Sequence, residues 1–197
     1  MRWTTRESTF KSALLAQADI QPNDKILDLG CGTATLTIAI KVACPDADVV
    51  GLDSDSRILD MAARKVTDAG VKISLDRGYS YRLPFDGRSF HRVVSSLFFH
   101  HLTTENKRRT LGEIERVLKP GGELHLADWG KAQNIFMRSV FFLVQLLDGF
   151  ETTRDSIQGR LPAFIKEAGF RDVRQTAEFA TPLGTISLYS AKKPNAS

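Results

Sequence analysis

Two short stretches carry residue types that could hold a ligand. Residues 25–29 form an apolar run that ends in Gly30-Cys31-Gly32, a pattern typical of a buried strand followed by a tight glycine turn. Residues 49–53 form a second apolar run, which ends in Asp53. In a doubly wound sheet such a turn faces a ligand, and a carboxylate at the tip of the next strand can accept hydrogen bonds from both ribose hydroxyls. The pair predicts a site for a nucleoside-containing cofactor.

The elements around these stretches alternate between strands and helices. We expect strands at 25–29, 49–53, 71–75, 93–99 and 123–129, and helices at 4–18, 35–43, about 54–70 and about 104–118. Residues 35–43 also alternate at a period of two, but we predict a helix there because a parallel sheet needs a crossover connection. The alternation implies a parallel sheet with helices on both faces.

The last third of the chain has a different pattern. Residues 132–150 are rich in apolar and aromatic side chains, and a helix is predicted over about 155–168. The final strands, 171–180 and 185–192, are separated by so short a link that they must pair antiparallel. The predicted fold class is therefore α/β, a doubly wound Rossmann-like sheet of seven strands, mostly parallel with an antiparallel C-terminal strand.

The composition sets broad bounds. A length of 197 residues suits one domain, and 25% charged with 42% hydrophobic residues is typical of a soluble globular protein. The net charge of +4 does not require a nucleic-acid partner, and neither cysteine belongs to a CxxC pair, so we predict no metal site and no disulfide. The densest apolar run, 140–147, is shorter than the ~20 residues of a membrane span. Because residues 1–4 also lack the apolar core of a signal peptide, we expect a cytoplasmic location.

Four blocks of sequence carry a family resemblance. They are residues 26–33, residues 51–53, residues 83–85 running on to 100–102, and residues 116–122. With these blocks in order, the chain from about residue 24 to 193 resembles the class I S-adenosylmethionine-dependent methyltransferases. It is most similar to the small-molecule branch that includes the ubiquinone and menaquinone C-methyltransferases. The terminal hairpin agrees, since nicotinamide-binding Rossmann domains continue with parallel strands.

The resemblance implies S-adenosylmethionine as the cofactor and S-adenosylhomocysteine as the product. It implies that the glycines of residues 30–32 let the backbone approach the methionine part, because a Cβ there would collide. It also places Asp28 near the cofactor's amino group, Asp53 on the ribose hydroxyls, and Leu97 or Phe99 beside the sulfonium. The full set of expected cofactor contacts is Asp28, Gly30, Cys31, Gly32, Asp53, Ser54, Tyr79, Ser80 and Leu97.

Three positions depart from the family pattern. Ala34 stands where the family often has a third glycine, and a small residue suffices there. Tyr79 stands where an acid commonly accepts a hydrogen bond from adenine; it could hydrogen-bond or stack instead, with the backbone of Ser80 binding the ring. His91 replaces an aspartate at the start of the fourth strand. These changes bear on adenine binding more than on the fold.

Several polar residues leave alternatives open. His100 and His101 follow the fourth strand and could accept a proton from a substrate, pack under the next helix or point to solvent. Asp128 could orient a substrate or cap the following helix, whereas His125 is expected to be a hydrogen-bonded core residue. The basic run at 107–109 is predicted to be a solvated helix face, with phosphate binding as the alternative. No catalytic residue is predicted, because methyl transfer from a sulfonium mainly needs alignment of the reacting atoms.

The predicted function is an S-adenosylmethionine-dependent methyltransferase that acts on a small, partly apolar molecule. We expect one domain over residues 1–197, with a helical, lid-like insertion at about 131–168. A first alternative is an RNA or protein methyltransferase, indicated by the high isoelectric point, although no added binding domain or Asn/Asp-Pro-Pro-Tyr signature is present. A second is a non-catalytic module that binds the cofactor or a partner, indicated by Tyr79 and His91. A nicotinamide oxidoreductase is disfavoured, since Thr35 stands at the third glycine position of GxGxxG.

Overall fold

A computed structural model describes residues 2–130, 159–181 and 184–195, with side chains from residue 8 onward. The helices are α1 (Arg2–Ala18), α2 (Thr35–Ala43), α3 (Ser56–Asp68), α4 (Thr104–Val117) and α5 (Leu161–Glu167). The strands are β1 (Lys25–Leu29), β2 (Asp48–Asp53), β3 (Ser74–Arg77), β4 (Phe90–Ser96), β5 (Leu118–Trp129), β6 (Arg171–Thr181) and β7 (Gly184–Lys192). A short 3₁₀ turn, Phe99–His101, follows β4.

The strands form one seven-stranded sheet in the order β3-β2-β1-β4-β5-β7-β6. Strands β1 to β5 pair in parallel, and β7 lies antiparallel between β5 and β6. The predicted fold class is thereby confirmed. The chain builds outward from β1 on one side and then returns to β4 on the other, so the topological switch point lies between the carboxyl ends of β1 and β4. A ligand of an open α/β sheet binds in the crevice at that place.

The two faces of the sheet carry separate apolar clusters. Side chains alternate between faces along a strand, so Leu27 packs with α4 and α5 while its neighbour Ile26 packs with α1 and α2. In α1, Phe10 and Leu14 are almost fully buried against the second face. This anchors α1 over the strands next to the glycine turn, although the helix itself contains no ligand-binding motif.

The structure corrects three strand boundaries. Strand β3 begins at Ser74 and not at residue 71, because pairing with β2 starts only at Ser74. Strand β4 spans Phe90–Ser96 instead of 93–99, since Leu97 has a left-handed φ of 55° and ends the strand. Strand β5 begins at Leu118 and not at residue 123, with a register shift against β4.

The predicted helices agree with the structure more closely than the predicted strands, within the described residues. Residues 35–43 are helical as predicted, and the helix expected at 155–168 is confirmed over Leu161–Glu167. The predicted lid falls mostly on residues 131–158, which lie outside the described residues, and it stays a prediction. Within the described ranges no helix combines the length and the apolar character that crossing a membrane requires.

Candidate functional site

The glycine turn after β1 is held against β2 and has an open side. The N–H groups of Gly30 and Cys31 both donate to the carbonyl of Leu52, at 2.8 and 3.0 Å. Gly30 and Gly32 have φ values of +70° and +53°, which favour glycine. A Cβ on Gly30 would lie 2.3 Å from the Phe98 ring, whereas one on Gly32 would meet nothing within 4 Å. We expected a Cβ at either glycine to collide with the cofactor. At Gly30 the Cβ would instead collide with a side chain of the protein itself, whereas the space beside Gly32 is open to a ligand.

A cavity of about 240 Å³ opens at this turn, between the carboxyl ends of β1 and β4. Its wall consists of Lys11, Asp28, Gly30, Cys31, Gly32, Thr33, Thr35, Leu36, Ser96 and Leu97. Five of these were expected from the sequence: Asp28, Gly30, Cys31, Gly32 and Leu97. Thr33 and Thr35 flank the glycine turn and could have been found from that position. Lys11 and Ser96 carry no such signal, because they reach the cavity from α1 and from the end of β4.

Asp28 lies on the cavity wall with few hydrogen-bond donors around it. It is 1% exposed, and the hydroxyl of Thr37 donates to its Oδ2 at 2.6 Å. Burial raises the pKa of Asp28 to about 6, against the smaller lowering effects of the Thr37 bond and the charge of Lys11. Burial, with the charges of Asp28 and Asp53, also raises the pKa of the Cys31 thiol, which therefore stays protonated and is a poor nucleophile. A cationic group in the cavity would stabilise the ionised form of Asp28.

Asp53 joins the tip of β2 to the glycine turn. Its Oδ2 accepts the N–H of Gly32 at 3.0 Å, and its Oδ1 accepts the N–H of Asp55 at 3.1 Å. The cap of α3 is Asp55, whose side chain accepts the N–H of Arg57 at 2.8 Å. Each Asp53 oxygen keeps a further acceptor position. Its carboxylate can therefore accept hydrogen bonds from ligand hydroxyls next to the open side of Gly32.

The segment after β3 lies beside Asp53, outside the cavity wall. The N–H of Gly78 donates to the carbonyl of Asp53 at 3.0 Å. Tyr79 is 55% exposed, and its ring stacks on Tyr81 with centroids 5.3 Å apart. The hydroxyl of Ser80 is buried and shares a hydrogen bond of 2.8 Å with a threonine of α4. The Ser80 side chain is thus engaged, and its backbone is the part that remains for a ligand.

Two further residues from the sequence analysis are not part of the cavity wall. Ser54 follows β2 on the surface, and its carbonyl accepts a hydrogen bond from Arg77 at 3.2 Å. His91 lies near the start of β4, where its Nδ1 accepts the N–H of Lys25 at 2.8 Å and its Nε2 is 2.8 Å from the amine of Lys119. Since these contacts are at the amino edge of the sheet, His91 has no bearing on adenine binding, contrary to our expectation.

Asp128, at the end of β5, organises the turn after β4. Its Oδ2 accepts the N–H groups of Phe98, Phe99 and His100 at 3.1, 2.6 and 3.3 Å, and its Oδ1 lies 2.8 Å from His100 Nδ1. The pKa of Asp128 is lowered because His100 and the backbone donors outweigh the effect of burial. His100 is buried in this network and does not line the cavity. For His100 the structure favours packing over a catalytic role. Asp128 holds the turn after β4, whereas the helix that it was expected to cap, after β5, lies outside the described residues.

Two expectations about other polar side chains have different outcomes. His125 is confirmed as a hydrogen-bonded core residue, 2% exposed and 3.2 Å from a carboxylate oxygen of Glu123. The solvated face predicted at 107–109 is wrong for Lys107, which is 1% exposed. Arg108 pairs with Glu167 at 3.1 Å, and the guanidinium carbon of Arg109 lies 4.9 Å from the Tyr81 ring centroid.

The cavity wall fits the amino-acid end of an adenosylated cofactor. The hydroxyl of Ser96 is buried there without a hydrogen-bond partner among the described residues, and such a group is costly unless a ligand satisfies it. Asp28 offers a carboxylate for an ammonium group, and the space beside Gly32 admits a ligand next to Asp53. In the described parts of the chain, no cluster of three His, Cys, Asp or Glu side chains could hold a metal ion.

Comparisons with known proteins agree with this fit. Residues 26–122 match a family described as a methyltransferase domain. A demethylmenaquinone methyltransferase of Symbiobacterium thermophilum is 37% identical over 133 residues, which are 66% of this chain and 52% of that protein. An uncharacterized methyltransferase of Synechocystis sp. PCC 6803 is 31% identical over 189 residues, covering 96% of this chain and 86% of the relative. The chain thus spans about half the length of the first relative and most of the second.

A solved structure shows the same architecture. An S-adenosylmethionine-dependent methyltransferase of Methanosarcina mazei has a TM-score of 0.74 at 21% identity, covering 92% of this chain and 98% of the other. Identity this low shows the shared fold alone. The family itself is shown by the Synechocystis relative, which aligns along nearly the whole chain. The resemblance read from the four sequence blocks is confirmed, and the chain belongs to the class I S-adenosylmethionine-dependent methyltransferases.

Proposed function

We propose that this protein transfers a methyl group from S-adenosylmethionine to a small, partly apolar molecule. The observation that carries the proposal is the cavity between the carboxyl ends of β1 and β4. Its wall includes Asp28 and Ser96, and the Ser96 hydroxyl has no hydrogen-bond partner among the described residues. When bound, S-adenosylmethionine supplies a methyl group on a positively charged sulfur, and its transfer leaves the neutral thioether of S-adenosylhomocysteine. The cavity lies at the switch point where open α/β sheets bind their ligands.

Each of the expected cofactor residues takes a role in this proposal. Asp53 accepts the ribose hydroxyls, and Asp28 faces the amino group of the methionine part. Leu97 provides an apolar wall at the end of β4. Tyr79 lies on the adenine side, where its exposed ring is available for stacking. The remaining contacts come from Gly30, Cys31, Gly32, Ser54 and the backbone of Ser80.

The acceptor we propose is an aromatic molecule of partly apolar character. This rests on the relatives named as demethylmenaquinone methyltransferases. In the reaction an electron pair of the acceptor atom forms the new bond, the sulfur keeps the pair of the broken bond, and a proton on the acceptor atom leaves to solvent. The protein aligns the reacting atoms and excludes water. The lid expected at about 131–168 would supply that exclusion.

A direct assay tests the proposal. The protein is incubated with S-adenosylmethionine and a short-chain demethylmenaquinone in its reduced form, alongside a panel of phenols and catechols. Mass spectrometry follows both S-adenosylhomocysteine and the methylated acceptor. We expect turnover with at least one aromatic acceptor, and none with Asp53→Ala.

Thermal unfolding separates binding from turnover. A ligand at one hundred times its Kd adds about 2.7 kcal/mol of stability, which corresponds to roughly 5–10 °C in Tm for a domain of this size. We expect such a rise with S-adenosylmethionine, no rise with NADH, and a loss of the effect in Asp53→Ala. Binding without turnover on any acceptor would contradict the proposed reaction and favour a non-catalytic module.

A further inference from the structure

A lysine of the first helix belongs to the wall of the cofactor cavity. Lys11 lines the cavity together with Asp28, although nothing in the motifs around the glycine turn points to α1. Its neighbours Phe10 and Leu14 are 2% and 0% exposed, and they pack in the same apolar cluster as Leu36 of α2. Because Leu36 also lines the cavity, the core that anchors α1 holds Lys11 at this site.

The charges in the cavity form a complementary pair. Among the described residues that line it, Lys11 carries the positive charge and Asp28 the negative one, while the buried Cys31 thiol is neutral. Lys11 lies close enough to Asp28 for its charge to lower the pKa of that carboxyl. The methionine part of the cofactor carries one ammonium and one carboxylate at neutral pH. A cavity with one cation and one anion therefore matches both ends of an amino acid.

We propose that Lys11 binds the α-carboxylate of the methionine part of S-adenosylmethionine, while Asp28 serves the ammonium group. The proposal rests on the proposed function and adds a cofactor-binding residue from outside the family's sequence blocks. Other lysines near the turn are placed differently. Lys65 donates to the Thr35 hydroxyl at 2.6 Å from the exposed face of α3, and Lys41 donates to the Pro45 carbonyl at the far end of α2.

Two ligands that differ only in the α-carboxylate test the proposed contact with Lys11. Decarboxylated S-adenosylmethionine keeps the adenosine, the sulfonium and the ammonium, and lacks only the carboxylate. Calorimetric titration of the full chain compares its affinity with that of S-adenosylmethionine for wild type and Lys11→Met, which keeps a long apolar stem without the charge. We expect Lys11→Met to weaken S-adenosylmethionine binding roughly 10- to 100-fold, as the loss of a hydrogen bond between charged groups does. Binding of the decarboxylated ligand should change less than about twofold, since the contact is already absent.

Matched variants complete the design. Lys72→Met removes an exposed lysine just before β3 and should leave both affinities unchanged. Lys11→Arg should keep most of the affinity for S-adenosylmethionine, because it keeps the charge. Asp28→Asn should weaken both ligands alike, since both carry the ammonium. This contrast separates the two ends of the amino acid.

Three results would overturn the proposal. Unchanged S-adenosylmethionine affinity in Lys11→Met would show that the lysine does not bind the cofactor. An equal loss for both ligands would show that Lys11 acts through the placement of α1 or through Asp28, and not on the carboxylate. A wild-type protein that binds neither ligand would instead overturn the proposed function itself, together with this assignment.

Discussion

Two aspartates at the same edge of the sheet have opposite surroundings. Asp28 and Asp128 are each the second-last residue of their strands, β1 and β5, with 1% and 2% of their surfaces exposed. Asp28 accepts the Thr37 hydroxyl and faces the cavity, and its pKa is raised to about 6. Asp128 accepts four backbone N–H groups and contacts the His100 ring, and its pKa is lowered. The number of donors around a buried carboxylate, more than its burial, separates a structural acid from one available to a ligand.

The two regions meet at Phe98. Asp128 accepts the backbone N–H of Phe98, and the Phe98 ring occupies the place where a side chain on Gly30 would lie. The structural acid of β5 therefore shapes the glycine turn that borders the ligand cavity. Substitutions in either region should show whether this division of roles is real.

The largest effect is expected for Asp128→Ala. It leaves four backbone donors and the His100 ring without their buried partner, so we expect a loss of about 3–5 kcal/mol in the free energy of unfolding, measured by urea denaturation. Because the pKa of Asp128 is lowered in the folded state, its contribution is present above the ordinary carboxyl pKa and is lost as the pH falls through the folded value. Asp128→Asn keeps one acceptor oxygen and should cost less. A loss below about 1 kcal/mol for Asp128→Ala would contradict the structural role.

The next largest loss of stability is expected at the contact between Gly30 and the Phe98 ring. Gly30→Ala places a Cβ against the Phe98 ring in a left-handed conformation, and should cost about 2–4 kcal/mol. Gly32→Ala has the same backbone conformation with open space around it, and should cost only about 1–2 kcal/mol while blocking the cofactor. Phe98→Ala in the Gly30→Ala background should recover part of the loss, as chemical denaturation of the double variant would show. No coupling between the two substitutions would mean that the turn adapts without the ring.

Asp28→Asn should raise the free energy of unfolding, whereas Asp128→Asn should lower it. A carboxyl whose folded pKa is raised to about 6 is favoured in its protonated form by folding, so its ionisation at neutral pH destabilises the fold by up to about 3 kcal/mol. Removal of the charge should therefore stabilise the ligand-free protein at pH 7, and the gain should vanish as the pH falls below about 4. Urea denaturation of both proteins across this pH range measures the difference. A destabilised Asp28→Asn variant at pH 7 would place Asp28 with the structural acids.

Cofactor affinity should follow the ionisation of Asp28. If the carboxylate serves the ammonium group, affinity for S-adenosylmethionine is highest above the folded pKa of about 6 and declines as the pH falls through it. The stability of the ligand-free protein changes the other way over the same interval. Calorimetric titrations between pH 5 and pH 8 would measure this, with Asp28→Asn as the control whose affinity lacks this step. A flat profile in the wild type would exclude Asp28 from cofactor binding.

The smallest effect is expected at Ser96. Its hydroxyl is buried without a partner among the described residues, so Ser96→Ala should leave the ligand-free protein as stable as before or more stable by up to about 1 kcal/mol. The same change should weaken S-adenosylmethionine binding roughly 2- to 10-fold, because one hydrogen bond to the ligand is lost. Urea denaturation of Ser96→Ala would measure its stability, and calorimetric titration would measure its affinity for S-adenosylmethionine. A clear loss of stability with unchanged affinity would show that the hydroxyl serves the fold.

Most of the fold could be predicted because its signals are local. The apolar runs, the glycine turns and the short link between the last strands each act over a few residues. The errors arose where a distant contact overrides the local pattern. Val71 and Ile73 alternate like a strand but precede the residue at which pairing with β2 starts, and Leu97 ends β4 early with a left-handed backbone.

The residues of the candidate site also fall into those that the local sequence predicts and those that depend on distant contacts. Gly32 and Asp53 were predictable because a turn and the tip of the next strand are fixed by neighbouring residues. His91 was misjudged, since its position in the sequence does not reveal that its contacts are with Lys25 and Lys119 at the amino edge of the sheet. Lys107 was also misjudged, because its burial depends on the packing around α4 and not on the charge of its neighbours.

By itself, the sequence determined the class of fold, the glycine turn with its carboxylate partner, and the family of methyltransferases to which the chain belongs. Only the tertiary structure decided which side chains share the cavity. Lys11 and Ser96 reach it from α1 and from the end of β4, and no short-range pattern encodes that meeting. The tertiary structure also distinguished Asp28 from Asp128, because most of the donors around Asp128 come from the turn after β4, which is distant in the chain and close in space.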